Sequence, residues 1–453
     1  MIRIKKLKNF GVIQSIEDEI KLNDLTIFMG DNSSGKSYMA MLIHTLIIMR
    51  MGYGDKNFLK AIKNKFRQSN IINFLETLVD DIVSTDNKTI NIDLEKKHLE
   101  ELNEIINFSI NNYLIPKYLV YKIFNDNILD EIELDLSDID KYLIKSFSIS
   151  NQTDDINKNI IIKIKSLQSI SEFPKFMPVE IIRNEILDYL IHYLIELPLK
   201  KIFELSNSIY FPASRTGYLQ TYPILANKAI VRAYTQDNNK EYKLNIVLQE
   251  FISKLNTISR TKDNNFTKFI EDNIILGKVI LSNKDNSIHY KTNDGVDIDI
   301  DFLSSTVSEL IPLVAFLKKG FIIPNSLLVI EEPEAHLSFK NQKLMAHLIT
   351  LFLKYNIKVL ITTHSDFLIT EINNLILKGS INKIKNNNVY DLSINYKKVN
   401  VYNFLLQDNS KSIIKKVKVD KEGIESDYIF DNIYKMIKEK NNLLDELENC
   451  DDC

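Results

Sequence analysis

The sequence predicts an α/β protein: a doubly wound, mostly parallel sheet with an antiparallel β-meander and a large α-helical insertion. Three observations lead there. The apolar run LTIFM (25–29) ends in the glycine-containing stretch GDNSSGKS (30–37) and continues into the helix-like YMAMLIHTLIIM (38–49). Two further apolar runs, SLLVI (326–330) and KVLITT (358–363), alternate with helical segments, the pattern of βαβ units. Between residues 55 and 205, apolar residues recur at three- and four-residue spacing, as in IINFLETLVDDIV and VEIIRNEILDYLIHYLIELPL.

Taken in order, residues 1–54 are expected to hold strands and the glycine-containing loop, and 55–205 a compact helical insertion. Residues 206–400 hold the rest of the sheet domain. The strand pattern returns near 209 with IYFPASRTGYL, a second mostly helical stretch runs to about 275, and then comes a meander: GKVILSN, SIHYKT, the Asn293-Asp294-Gly295 turn and VDIDIDFL. A helix is expected near Ser304, then the strand SLLVI, a helix from about 338, the strand KVLITT and a helix from about Asp366. NVYDLSI (388–394) reads as a strand. Residues 401–453 add the strands NVYNFLLQ and SIIKKVKV and a final helix from Ser426.

Composition narrows the classes. Hydrophobic residues make up 45% and charged residues 26%, a globular balance, while 11 Gly and 9 Pro argue against an all-β or loop-dominated chain. A net charge of −3 gives no global pull toward nucleic acid, so any DNA contact has to come from a local patch. The two cysteines, Cys450 and Cys453, fall in the closing CDDC, which suits a reducing compartment. That stretch reads as a frayed tail, with a shared zinc site across a dimer as its alternative. MIRIKKLKNF lacks the apolar core of a signal peptide, and the Met39–Met49 run is interrupted by His44 and too short for a bilayer. A cytoplasmic protein with no membrane partner is expected.

GDNSSGKS matches G-x-x-x-x-G-K-[ST] between a strand and a helix, the context that gives the pattern its meaning. Gly30 and Gly35 let the loop curl so that backbone N–H groups of Asp31, Asn32, Ser33 and Ser34 surround phosphates at a helix N-terminus. Lys36 can reach the β- and γ-phosphates of ATP, and the Ser37 hydroxyl can ligate Mg²⁺. SLLVIEEPEAHLS carries adjacent carboxylates at the end of a buried strand, Glu331 lying 295 positions after Lys36. Glu331 would hold a water on Mg²⁺ and Glu332 would orient and deprotonate the attacking water. In VLITTHSDFLI, His364 comes after another buried strand, where an imidazole can bond the γ-phosphate.

Loop, carboxylates and histidine in this order resemble the ABC-type ATPase heads of the SMC, RecF and OLD (overcoming-lysogenization-defect) group. That resemblance implies two heads sandwiching two ATP molecules, each held by the phosphate loop of one copy and a signature helix of the other. LSSTVSELIPL (303–313) stands where the signature is expected, so Ser304 and Ser305 would contact the partner's nucleotide. Thr306 stands where glycine is common in the family. Glu-Glu-Pro-Glu-Ala-His-Leu and IYFPASRTGYL are similar to soluble OLD-like ATPases of bacterial antiphage systems such as the Septu and PARIS types. Two roles are open for Arg215: contact with a phosphate or a dimer partner, or a surface or structural arginine. Gln220 is the candidate for the glutamine that couples Mg²⁺ to the insertion.

The resemblance implies an ATP-driven homodimeric or higher-order switch with a separate effector protein, a nuclease or toxin, since neither a Toprim acidic cluster nor an HNH histidine set is evident. A repair or recombination ATPase acting directly on DNA is the alternative, as is a nucleotide-gated scaffold that barely turns over. KSIIKKVKV (411–419) reads as lysines guarding an edge strand, with phosphate contact as the other option.

Overall fold

The chain begins in β1 (Arg3–Phe10), which buries Ile4, Leu7 and Phe10 and exposes Lys5 and Lys8. β2 (Ile13–Ile16), β3 (Ile20–Lys21) and β4 (Leu25–Gly30) come next, and the loop after β4 opens into α1 (Lys36–Ile48). Residues 25–29 of β4 are all buried, as in a strand covered on both faces. The computed structural model describes residues 2–48, 56–84, 89–111, 115, 128–136, 138–154, 159–164, 169–174, 178–202, 205, 207–221, 245–257, 261–282, 287–385, 391–407, 410–425 and 438–443. Cys450, Cys453 and the start of the expected final helix lie outside them.

The chain divides into two compact units, one of Met1–Lys5, Leu46–Tyr121 and Ile132–Leu205, the other of Lys6–Thr45, Lys122–Glu131 and Ser206–Cys453. The first contains most of the expected insertion. Its helices include α2 (Lys56–Lys65), α3 (Asn70–Ser84), α4 (Lys96–Ser109) and α5 (Val179–Ile202). α3 buries Ile71, Ile72, Leu75, Leu78, Val79 and Ile82, the spacing of a one-sided apolar helix. The insertion is not helical alone. β5 (Thr89–Asp93) precedes α4, β6 (Glu131–Leu134) comes after it, and β7 (Ser146–Asp154), β8 (Asn159–Ile164) and β9 (Ser169–Pro174) precede α5. β5-β7-β8-β9 form a four-stranded antiparallel sheet. These strands are short runs of Ile and Phe among Ser and Asn, so their two-residue period is weak next to the long helical pattern beside them.

The second unit continues with β10 (Asn207–Phe211), α6 (Ile246–Leu255) and α7 (Asn265–Ile270). The meander is present as β11 (Gly277–Leu281), β12 (Ile288–Thr292) and β13 (Asp297–Ile298), paired antiparallel, with Gly295 at φ 89° in the second turn. Next come α8 (Ser305–Lys318), β14 (Ser326–Glu331), α9 (Phe339–Lys354), β15 (Lys358–Thr363), α10 (Asp366–Ile384), β16 (Val399–Leu406) and β17 (Ser412–Val417), then the short pair β18 (Val419–Asp420) and β19 (Gly423–Ile424). Residues 391–394 of the expected strand NVYDLSI are irregular, and the rest of it lies outside the described residues.

The large sheet runs β10-β14-β15-β4-β16-β17-β2-β1-β3, with β6 paired to β1. From β10 to β16 the strands are parallel; β17 is antiparallel to β16 and parallel to β2, and β2 is antiparallel to β1. β17 is therefore an interior strand, not the lysine-guarded edge expected. Its Ser412, Ile414 and Val417 are buried, and Lys415 pairs with Glu17 on the outer side. One core joins β4, β10, β14 and β15 to α6, α8, α9 and α10. Within it the Phe316 ring stands 5.0 Å from Phe211 and 5.4 Å from Phe251, fastening α8 to β10 and α6.

Lys319, just past α8, is buried, and its ammonium donates to Leu255 O at 2.7 Å, taking up a carbonyl that α6 leaves free at its end. Burial pushes its pKa down to about 8. Between that value and the ordinary lysine range the unfolded chain holds more protons than the folded one, so the lysine's contribution to stability rises with pH through that window. The stability of the wild type relative to Lys319→Met should climb on the order of 1 kcal/mol between pH 7.5 and 9.5. Urea unfolding monitored by circular dichroism measures this; a difference independent of pH refutes it.

Candidate functional site

Three adjacent parallel strands set the site. Glu331 of β14 is in register with Thr362 of β15, and Thr362 and Thr363 with Phe28 and Met29 of β4. The segments leaving β4, β14 and β15 thus start at one level on the sheet's carboxyl edge, β14 and β4 standing two strand spacings, about 10 Å, apart.

The loop 30–37 takes three residues with positive φ, Gly30 (131°), Ser33 (62°) and Gly35 (94°). A Cβ on Gly30 would fall 2.4 Å from Phe404 O, and one on Gly35 would fall 2.6 Å from the Ile13 side chain, so both positions need glycine. The fully buried Ser412 donates its hydroxyl to Ser34 O at 2.6 Å, tying the loop to β17. Asp31, Asn32 and Ser33 are exposed, and Ser37 is half-buried.

Lys36 is only 7% exposed, and its ammonium donates to Gly30 O (2.8 Å), Asp31 O (2.6 Å) and Ser34 Oγ (3.5 Å). Burial lowers its pKa, opposed by the charges of Glu332, Asp31, Glu334 and Glu331, in that order. A lysine near the start of the chain therefore shares one electrostatic site with three glutamates of β14 and its turn.

Glu331 is buried. Its Oε2 accepts from Ala213 N at 2.9 Å, and its Oε1 has no hydrogen-bond partner. An orphaned, buried carboxylate oxygen suits a bound cation or a water held by one. Burial and then the Glu331 charge push the neighbouring Tyr210 phenol well above its usual range, keeping it neutral. Glu332 takes φ 42°, a left-handed backbone rare for a glutamate, and its N–H donates to Thr362 O at 2.9 Å. Its carboxylate is partly exposed, and His364 Nδ1 lies 3.8 Å from it and 3.7 Å from Glu334 Oε1.

Of the expected residues, the loop, Glu331, Glu332 and His364 gather here. Arg215, expected at a phosphate or a partner, lies inside the protein: it is 3% exposed and bonded to carbonyl oxygens of Pro212, Glu331 and Glu332 and to Glu309. Gln220 is exposed on the helical stretch 215–221. Ser304 and Ser305 are exposed at the start of α8, with no side-chain cap from Ser304. Thr306, in the glycine position, donates its hydroxyl to His336 O at 2.7 Å, tying α8 to the turn after Glu334.

Glu334 was not among the expected residues, although it is the third acid of EEPEAHL. It is 5% exposed, and Oε1 accepts from the Thr363 hydroxyl (2.6 Å) and from His364 N (3.1 Å), fixing the start of the histidine turn. Glu334→Leu leaves the buried Thr363 hydroxyl without its acceptor and should lower stability by about 1–3 kcal/mol. A shift of the thermal midpoint checks it, and an unchanged midpoint contradicts it.

Among the solved structures to which the chain is similar are three SMC heads. The SMC head bound to the C-winged helix domain of ScpA shares 14% identity, covering 92% of this chain and 98% of that one at a TM-score of 0.36. The SMC head domain from Thermotoga maritima shares 12%, covering 92% and 98% at 0.31. The Smc head with an extended coiled coil bound to the C-terminal domain of ScpA, derived from Pyrococcus furiosus, shares 14%, covering 97% and 100% at 0.36. Comparison with curated proteins gives no match. Residues 1–369 match the AAA ATPase domain family. With a phosphate loop facing buried carboxylates across a parallel sheet, the chain belongs to the AAA ATPase domain family and is an ATPase.

Proposed function

We propose that this ATPase works as a switch in which two copies close around two ATP molecules and hydrolysis lets them part. One observation carries the reading: the loop that follows β4 and ends in Lys36, and the carboxylates of Glu331 and Glu332 at the end of β14, leave one edge of the sheet from in-register parallel strands, so loop and carboxylates serve one ligand. Backbone N–H groups of residues 31–35 and the Lys36 ammonium bind the β- and γ-phosphates. To do so the ammonium exchanges its bonds to Gly30 O and Asp31 O for phosphate oxygens. The Ser37 hydroxyl and Glu331 would hold Mg²⁺, which when bound neutralises charge on the β- and γ-phosphate oxygens. Glu332 orients and deprotonates the attacking water, and His364, held by Glu334, contacts the γ-phosphate. Ser304 and Ser305, exposed at a helix N-terminus, reach the nucleotide bound by the second copy.

In the same reading the chain is a sensor or regulatory subunit of a bacterial antiphage defence system and passes its state to a separate effector protein, a nuclease or toxin. The Glu-Glu-Pro-Glu-Ala-His-Leu turn and the YFPASRTG stretch support this placement. A role acting directly on DNA has less support, because three lysines of β1 and β17 are paired with acids: Lys6 and Lys8 with Glu131, and Lys415 with Glu17.

Two substitutions test the core of the reading. Glu332→Gln should slow hydrolysis by about 10²–10⁴-fold while ATP binding persists, so that ATP doubles the mass seen by light scattering. An ATP-loaded Glu332→Gln chain that stays monomeric sinks the sandwich. Lys36→Ala should weaken ATP binding by about 10–100-fold, measured with a fluorescent nucleotide, and undiminished affinity would remove Lys36 from the phosphate site.

A further inference from the structure

The segment 212–216 touches two elements to which the proposed function gives different tasks. Toward β14, Ala213 N donates to Glu331 Oε2 at 2.9 Å, Arg215 Nη1 donates to Glu331 O at 2.7 Å, and Nη2 donates to Glu332 O at 3.2 Å. Toward α8, Arg215 Nε lies 2.9 Å from Glu309 Oε2 and donates to Glu309 O at 3.2 Å. The N–H and hydroxyl of Thr216 both donate to Glu309 Oε1, at 3.1 and 2.9 Å. Arg215 is 3% and Glu309 1% exposed.

A buried ion pair persists only when its remaining donors and acceptors are met, and this one meets them with backbone groups and the Thr216 hydroxyl. Glu309 sits in the first half of α8, a few residues from Ser304 and Ser305. Pro312, also inside α8, has no N–H for the Ser308 carbonyl, which loosens the helix next to the carbonyl that Arg215 takes. On the opposite side, Glu332 is in a left-handed conformation that needs external restraint. Its N–H is held by Thr362 O and its carbonyl by Ala335 N, at 3.0 Å, and Arg215.

We propose that Arg215 is a positioning residue: it fixes the turn that aims the Glu332 carboxylate and, through Glu309, makes that aim depend on the position of the signature end of α8. The guanidinium is a rigid planar fork, so a shift of α8 reaches the carbonyls of Glu331 and Glu332 without an intervening flexible link. Engagement of Ser304 and Ser305 by a second copy is thereby transmitted to the residue that activates water. The inference rests on the proposed role of Glu332.

A cycle of Arg215→Lys, Glu332→Gln and the double variant, assayed by single-turnover hydrolysis of radiolabelled ATP with nucleotide affinity measured in parallel, tests it. Lysine keeps the charge but cannot span both carbonyls and Glu309. Arg215→Lys should lower the hydrolysis rate about 10–100-fold with ATP affinity within about threefold of wild type, the mark of a misaimed group rather than a lost binding contact. In the Glu332→Gln background it should cost no further factor beyond about twofold. Where Arg215→Lys does not fold, Glu309→Gln, of nearly the same shape, takes its place in the cycle with the same expectation. An additive second loss, with Glu332→Gln itself slowed as expected, overturns the positioning role alone. Wild-type hydrolysis by Glu332→Gln overturns the role of Glu332 and the inference together.

Discussion

The in-register pairing of β14, β15 and β4 is the constraint on which the rest depends. Parallel strands hydrogen-bonded in register end at one level, so the turns that leave them meet in space however far apart they lie along the chain. That is how a loop at 30–37 comes to share charges with glutamates 331, 332 and 334. The register is held from both faces: every residue of β14 is buried, as are 25–29 of β4 and 359–363 of β15. A slip by one residue would turn Glu331 from its buried place beside Ala213 to the opposite face and put an apolar side chain there instead.

Gathering acids in a buried place is unfavourable, and the fold offsets it only in part. Glu331 keeps one oxygen on Ala213 N and leaves the other unbonded, and Glu334 binds Thr363 and His364 through Oε1 while Oε2 stays unbonded. Lys36 attracts them electrostatically but gives its hydrogen bonds to its own loop. The free site is therefore set up with acceptor oxygens on one side and a lysine whose donors can be exchanged on the other. A nucleotide triphosphate with its cation answers both needs, whereas the cation alone would answer only the first.

Much of this was legible in the sequence, because each motif is local and its context is short. A strand, a glycine-bearing turn and a helix identify the loop, and SLLVI and KVLITT announce buried strands whose ends carry Glu331 and His364. Arg215 was not legible in the same way. PASRTG shows a charged residue after a strand and cannot say whether it faces out or in. The missing clue was Glu309, a lone acid in SELIPLVAF, whose apolar neighbours left no solvated face and so required a buried cation. The interior position of β17 was also hidden, since lysines on one side of a strand look alike whether its edges are free or paired, and strand order is decided by contacts far apart in sequence. In the insertion, helical periodicity over long stretches obscured β5 and β7–β9, whose alternation is brief.

The clasp at Arg215 and the phosphate loop are referenced to the same strand by a second buried contact. His44 on α1 is 1% exposed, with Nδ1 2.8 Å from Ser208 Oγ on β10 and Nε2 3.1 Å from Glu250 Oε2 on α6. Burial lowers the His44 pKa and Glu250 opposes the shift, so the imidazole acts as a fixed polar tie between elements. α1 begins at Lys36, and β10 runs directly into Ala213 and Arg215. The lysine is thus anchored to the frame from which the arginine reaches across to Glu309. In the proposed switch, motion of α8 relative to β10 would act on the turn of Glu332, while the tie through His44 keeps the phosphate loop with β10. The proposed switch would then hold ATP and hydrolyse it through separable contacts, as waiting between the two requires.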